Sequence, residues 1–141
     1  MDYADTSALL KLVLPEPESP RIGHYLMGKD RIFVSSLGIL EMLTQIRGFS
    51  LGGKITLRQY RRIEKYIPVL ARSEPFQFQE LSGAVFRRAI EQVDAAPGVH
   101  CRTLDRLHLA AMQELGATTL VTFDQQQAKA ARALGLTVAD L

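Results

Sequence analysis

The chain has one cysteine, Cys101, no tryptophan, and no apolar run long enough to cross a bilayer. A single thiol excludes an internal disulfide and fits a reducing cytoplasm. Asp2 and Asp5 stand where a secretion signal would place Lys or Arg, so export is not expected. A surplus of one charge is also missing: 17 basic against 15 acidic residues leave a formal net charge of +2. That balance permits a nucleic-acid partner without arguing for one. Aromatics are 7% of the chain, and Phe49, Tyr60, Tyr66 and Phe86 lack the pattern of a base-stacking platform. There is no phosphate-binding glycine loop, dinucleotide fingerprint or Ser–His–Asp order, so nucleotide-driven chemistry and acyl transfer have no support.

What the chain does have is an apolar content of 47% over 141 residues, enough to bury a core within a single domain spanning residues 1–141. Apolar runs alternate with longer amphipathic stretches, the βα pattern of a parallel sheet flanked by helices. A short strand, Met1 to Ala4, delivers Asp5, and Thr6 to Leu14 reads as a helix halted at Pro15. The connector Pro15 to Pro20 leads into a helix reaching about Met27. Ile32 to Ser35 is a second strand, followed by a helix that is capped at Ser35 or Ser36 and ends at Gly48. After a Gly52–Gly53 loop, Thr56 opens a helix to about Arg72, with Leu57, Tyr60, Ile63, Ile67 and Leu70 as its apolar stripe. Phe76 to Leu81 reads as a strand, Ser82 to Val93 as a helix, and Ala95 to Gly98 as a loop. A helix from Thr103 to Leu115, a strand from Thr118 to Phe123, a helix from Gln125 to Leu134 and a strand near Leu136 to Val138 complete the pattern.

Four acids stand out against this background. Asp5 and Asp124 fall at the C-terminal ends of strands, where open α/β sheets bind their ligands. Glu41 interrupts the hydrophobic segment of Leu37, Leu40, Met42 and Leu43, and Asp105 sits in the first turn of its helix beside Leu104, Leu107 and Leu109. Each has a bland alternative: Asp5 and Asp124 as helix caps, Asp105 as a partner of the helix dipole, Glu41 as an edge residue. Four separate alternatives must coincide for the set to be accidental. A carboxylate in an apolar setting is costly unless it is neutralised, paired or bound to a metal. Four hard oxygen donors without a Cys or His cluster favour Mg²⁺ or Mn²⁺ over zinc. Acidic sites of this kind serve two-metal phosphodiester hydrolysis, in which one ion activates a water and the other stabilises the leaving 3′ oxygen. A haloacid-dehalogenase site needs an acid two residues after the first, where this chain has Ser7. A receiver domain needs adjacent acids at its first strand end, and Asp5 is followed by Thr6.

Tyr3-Ala-Asp-Thr-Ser-Ala-Leu-Leu-Lys11, the Leu14-Pro-Glu-Pro-Glu-Ser19 connector, Val34-Ser-Ser and Glu41 together resemble a PIN-domain ribonuclease. Thr103-Leu-Asp-Arg-Leu-His-Leu-Ala-Ala111, Leu120-Val-Thr-Phe-Asp124 and Ala131-Arg-Ala-Leu-Gly-Leu136 extend the resemblance over the whole chain. It is nearest to the VapC-type toxins of toxin–antitoxin pairs. The resemblance implies a three-layer α/β/α sandwich with a central, mostly parallel sheet, and a Mg²⁺- or Mn²⁺-dependent endoribonuclease acting on RNA. It also implies a cognate VapB-like antitoxin and a homodimer. By position, Asp5, Glu41 and Asp105 would be the core metal ligands and Asp124 the fourth acid, with Ser7 and Thr122 as polar supports.

Arg58, Arg61, Arg62 and Lys65 fall at helical spacing on one face, which is either a solvated stripe or a contact for RNA or an acidic antitoxin segment. His108, one turn beyond Asp105, is placed to approach the site, although a packed core histidine is the more ordinary reading. Two rival readings stand beside the toxin: an RNA-processing nuclease without an antitoxin, and a non-catalytic binding module whose acids are caps and surface charges.

Overall fold

The computed structural model describes residues 1–96 and 98–141; Pro97, within the loop expected at Ala95 to Gly98, lies outside the described residues. Five strands form one sheet: β1 (Asp2–Ala4), β2 (Ile32–Ser35), β3 (Phe76–Gln79), β4 (Thr119–Val121) and β5 (Thr137–Val138). Their order is β3-β2-β1-β4-β5, and every pair is parallel. Seven helices among the described residues connect and cover them: α1 (Thr6–Val13), α2 (Ser19–Met27), α3 (Ser36–Leu51), α4 (Leu57–Leu70), α5 (Gly83–Glu91), α6 (Thr103–Glu114) and α7 (Gln125–Ala133). The sheet is wholly parallel, as such helical crossovers require.

The side-chain alternation of the strands divides the core in two. Ala4, Ile32, Val34 and Val121 point to one face, where they pack with Leu9, Met42, Ile46, Ile63 and Ile67 of α1, α3 and α4. Tyr3, Phe33 and Leu120 point to the other, against Val85, Leu109, Met112 and Ala131 of α5, α6 and α7. The central strands are buried on both sides, which is why they read as continuous apolar runs rather than alternating ones. No helix is long and apolar enough to cross a membrane among the described residues.

One boundary and one buried stripe differ from the sequence expectation for definable reasons. The helix after β2 does not stop at Gly48 but continues to Leu51. A glycine inside a helix costs only about 1 kcal/mol, and Ile46 and Phe49 on either side of Gly48 pack into the core. The reversal comes at Gly52 and Gly53, where Gly53 takes φ +74°, a left-handed conformation suited to glycine. On α4 the buried stripe is Tyr60, Ile63 and Ile67, while Leu57 is exposed at the first helical position. That helix starts with a full capping box, in which Thr56 Oγ1 accepts from Gln59 N and the Gln59 side chain accepts from Thr56 N.

β1 lies between β2 and β4, so the connections leave it in both directions. A crevice therefore opens beyond the C-terminal ends of β1 and β4, where strand order reverses.

Candidate functional site

That crevice is a cavity of about 590 Å³. Asp5, Glu41, Asp105 and Asp124 all line it, although they come from four separate segments. Asp5 follows β1, Glu41 sits in the second turn of α3, Asp105 lies in the first turn of α6, and Asp124 closes the loop after β4.

The capping roles expected of the strand-end acids are real and coexist with the cavity. Asp5 is the N-cap of α1, accepting from Ala8 N at 2.9 Å through Oδ1. Asp124 is the N-cap of α7, and its Oδ1 accepts from Gln126 N at 2.8 Å and Gln127 N at 3.1 Å. A carboxylate has two oxygens with several lone-pair sites, so capping leaves Asp124 Oδ2 free for another partner.

Asp5 is 3% exposed. Ser7 Oγ donates to it at 2.8 Å and Thr122 Oγ1 at 2.6 Å. Ser7 in turn accepts from Phe123 N, and Thr122 from Asp124 N, so the two hydroxyls are fixed by the β4–α7 loop. All of these donors are neutral. Asp2, the buried acid of the first strand, differs: it pairs with Lys29 at 3.0 Å and accepts from Tyr25 Oη at 2.7 Å. Among the described residues no cation makes an ion pair with Asp5. Burial pushes the Asp5 carboxyl above the ordinary carboxylate range, and the charge of His108 and the bonds from Thr122, Ala8 and Ser7 only partly oppose it.

Glu41 is held from below by a buried relay. His108 Nε2 lies 2.5 Å from Glu41 Oε2, and Thr6 Oγ1 donates to the same oxygen at 2.5 Å. Tyr3 Oη lies 2.7 Å from His108 Nδ1 and 2.7 Å from Ser35 Oγ. Ser35, Tyr3, His108 and Glu41 thus form one hydrogen-bonded chain that ends on the Glu41 carboxylate. Burial works to raise the Glu41 carboxyl, but the bonds from His108 and Thr6 outweigh it and hold it below the usual range. His108 is thus both buried and in contact with a candidate ligand, so the two readings of it meet in one residue.

Asp105 and Asp124 meet a residue the sequence reading passed over. Arg102 Nε donates to Asp105 Oδ2 at 2.6 Å, and its Nη2 donates to Asp105 Oδ1 at 3.2 Å and to Asp124 Oδ2 at 2.6 Å. The only signal for it was the i, i+3 spacing of Arg102 and Asp105 at a helix start. The basic stripe of Arg58, Arg61, Arg62 and Lys65 is exposed on α4, and none of the four lines the cavity. Arg61 pairs with Glu64 at 3.0 Å and stacks, with Arg47, on the Tyr60 ring.

Whether these acids suit a divalent ion is decided by the donor set and by the guanidinium between two of them. As the side chains stand, no three His, Cys, Asp or Glu among the described residues are gathered around one point. The acids are hard oxygen donors on one cavity, one of them is buried without a counter-ion, and two already share a cation, Arg102. The residues fit a hard divalent cation, provided Arg102 yields its place.

The sequence pattern of the PIN domain matches residues 3–133. The chain belongs to the PIN-domain family. Among its relatives, ribonuclease VapC35 of Mycobacterium tuberculosis is 33% identical over 144 aligned residues, covering 98% of this chain and 95% of the relative. Solved structures share the fold at lower identity. VapC20 of Mycobacterium tuberculosis, a sarcin–ricin loop cleaving toxin, superimposes with a TM-score of 0.72 at 15% identity, over 92% of this chain and 95% of that one. VapBC2 from Rickettsia felis, bound to a DNA fragment from the promoter of the pair, gives 0.72 at 16% identity over 100% and 99%. The PIN pattern spans all four acids, so the cavity lies wholly within the family's shared region.

Proposed function

We propose that the chain is a Mg²⁺- or Mn²⁺-dependent endoribonuclease, a single PIN domain over residues 1–141 that acts as the toxin of a toxin–antitoxin pair. One observation carries the reading: carboxylates from four separate segments line a single cavity beyond the sheet's C-terminal edge, and the buried one, Asp5, makes no ion pair among the described residues. The name of VapC35 supports RNA as substrate, and the VapBC2 assembly supports a cognate VapB-like antitoxin. The antitoxin would cover the acidic cavity, the protein would work in the cytoplasm, and two copies would pair as a homodimer.

Asp5, Glu41 and Asp105 would hold the metal, with Asp124 completing the set. When bound, the divalent ion supplies an activated water and neutralises charge on the leaving 3′ oxygen. The chain's own residues do the positioning. Ser7 and Thr122 fix the Asp5 carboxylate, and His108 and Thr6 fix Glu41, so each ligand arrives in one orientation. Four acids would repel an RNA phosphate, so the backbone can approach only once their charge is neutralised.

The test is cleavage of a synthetic RNA by the purified protein with Mn²⁺. Asp5→Asn and Asp105→Asn should each abolish cutting while the fold persists. Wild-type rates in either variant would refute the site.

A further inference from the structure

Among the described residues two basic side chains line the cavity, and Arg102 is the one that bridges two of the acids. The other, Lys11, is already held by Glu16 and Glu18, and Glu16 lines the same cavity. Arg102 occupies the N-cap position of α6, yet it makes no side-chain capping bond. Nothing in the helix therefore requires its guanidinium where it lies. Its side chain is 63% exposed, so it can swing into solvent without a desolvation cost, whereas Asp105 is 13% exposed and stays. The three bonds take both oxygens of Asp105 and the one oxygen of Asp124 that capping leaves free.

We propose that Arg102 is the resident counter-cation of Asp105 and Asp124, that a divalent metal must displace it to load the site, and that the displaced guanidinium then holds an RNA phosphate at the cavity mouth. This rests on the metal-dependent nuclease reading above. A divalent ion directed to the same oxygens is repelled by the guanidinium and competes with it for lone pairs, so the two cations exclude one another. Once expelled, the guanidinium sits beside the cavity, without its former carboxylate partners. Its planar fork matches two phosphate oxygens as it had matched two carboxylate oxygens. The exchange keeps the acids neutralised in the resting protein and makes a phosphate-binding group available only when metal is present.

Calorimetric titration of Mn²⁺ alone into wild-type protein and Arg102→Gln tests the exchange, with melting in EDTA to confirm that both are folded. The variant should bind Mn²⁺ about two- to fivefold more tightly, the span expected for removing a partly exposed ion pair. Binding of a fluorescent single-stranded RNA in Ca²⁺ should instead weaken in Arg102→Gln, and its salt slope should fall by about one. Arg102→Lys, which keeps the charge and loses the fork, should lie between the two in both measurements. Equal or weaker Mn²⁺ affinity in Arg102→Gln would overturn the exchange, and unchanged RNA binding would overturn the phosphate role. A wild-type protein that binds no Mn²⁺ would overturn the metal reading itself, an outcome distinct from either.

Discussion

A buried carboxylate surrounded only by neutral donors is costly to a folded chain, and Asp5 is such a residue. Asp5→Asn removes that charge while keeping the cap, because Asn caps helices as well as Asp does. Thr122 has an alternative acceptor in Gln127 Oε1 at 3.3 Å, so its hydroxyl can turn away from a new amide. The metal-free variant should melt on the order of 3 °C above wild type and lose any Mn²⁺-induced rise. A variant less stable than wild type that still gains from Mn²⁺ would show that the charge is structural.

The pH dependence follows from the same residue. An unfolded Asp titrates near pH 3.9, roughly, and burial moves Asp5 upward in the fold. Between those two values the folded chain retains a proton that the unfolded chain has lost, so the Asp5 contribution to metal-free stability falls as pH rises through that window. Glu41 has the opposite sign: its folded value is lowered, so its contribution is present above the unfolded value and is lost as pH falls through the folded one. Metal must also displace the Asp5 proton, so Mn²⁺ affinity should rise with pH across the Asp5 window. Calorimetric titrations at several pH values would show this, and a flat affinity would contradict it. His108→Ala leaves both Glu41 and the Tyr3 hydroxyl short of a partner. It should cost about 1–3 kcal/mol in denaturant unfolding and also weaken Mn²⁺ binding; a loss of stability alone would make His108 purely structural.

At the scale of elements, the helix starts decide where the chemistry sits. α1 and α7 begin at Asp5 and Asp124, so each acid both starts a helix and lines the cavity. Substitution separates the two tasks at Asp124. Asp124→Asn should keep the cap and nearly all stability, whereas Asp124→Ala should lose about 1 kcal/mol. Both should lose cleavage, and an active Asp124→Asn would leave Asp124 a cap alone. These strand-end acids were legible in the sequence because a parallel βα pattern fixes where strand ends lie. Glu41 was legible because an ionisable side chain among Leu and Met had no local excuse. The bridge from Arg102 to Asp124 and the Tyr3–His108–Glu41 relay were not, since those partners lie 22 to 105 residues apart in the chain and only the packing of α6 beside β1, α3 and the start of α7 brings them together. The overrun of α3 past Gly48 was illegible for a related reason: tertiary contacts of its neighbours outweighed a local propensity.

For the whole molecule, a near-neutral net charge of +2 hides a polarised distribution, with acids inside the cavity and basic side chains exposed on α4. If that stripe receives RNA or an acidic antitoxin segment, Arg61→Glu with Arg62→Glu should weaken binding and reduce its salt dependence. Unchanged binding would make the stripe a solvated face. Cleavage itself, however, would depend on the four acids. The most direct measurement is digestion of total RNA by wild-type protein in Mn²⁺, beside EDTA and Asp5→Asn controls, with the new ends characterised. Water attack with a departing 3′ oxygen predicts 5′-phosphate and 3′-hydroxyl ends, and no cutting in either control. Cutting that survives EDTA or Asp5→Asn, or that leaves 2′,3′-cyclic phosphates, would contradict it.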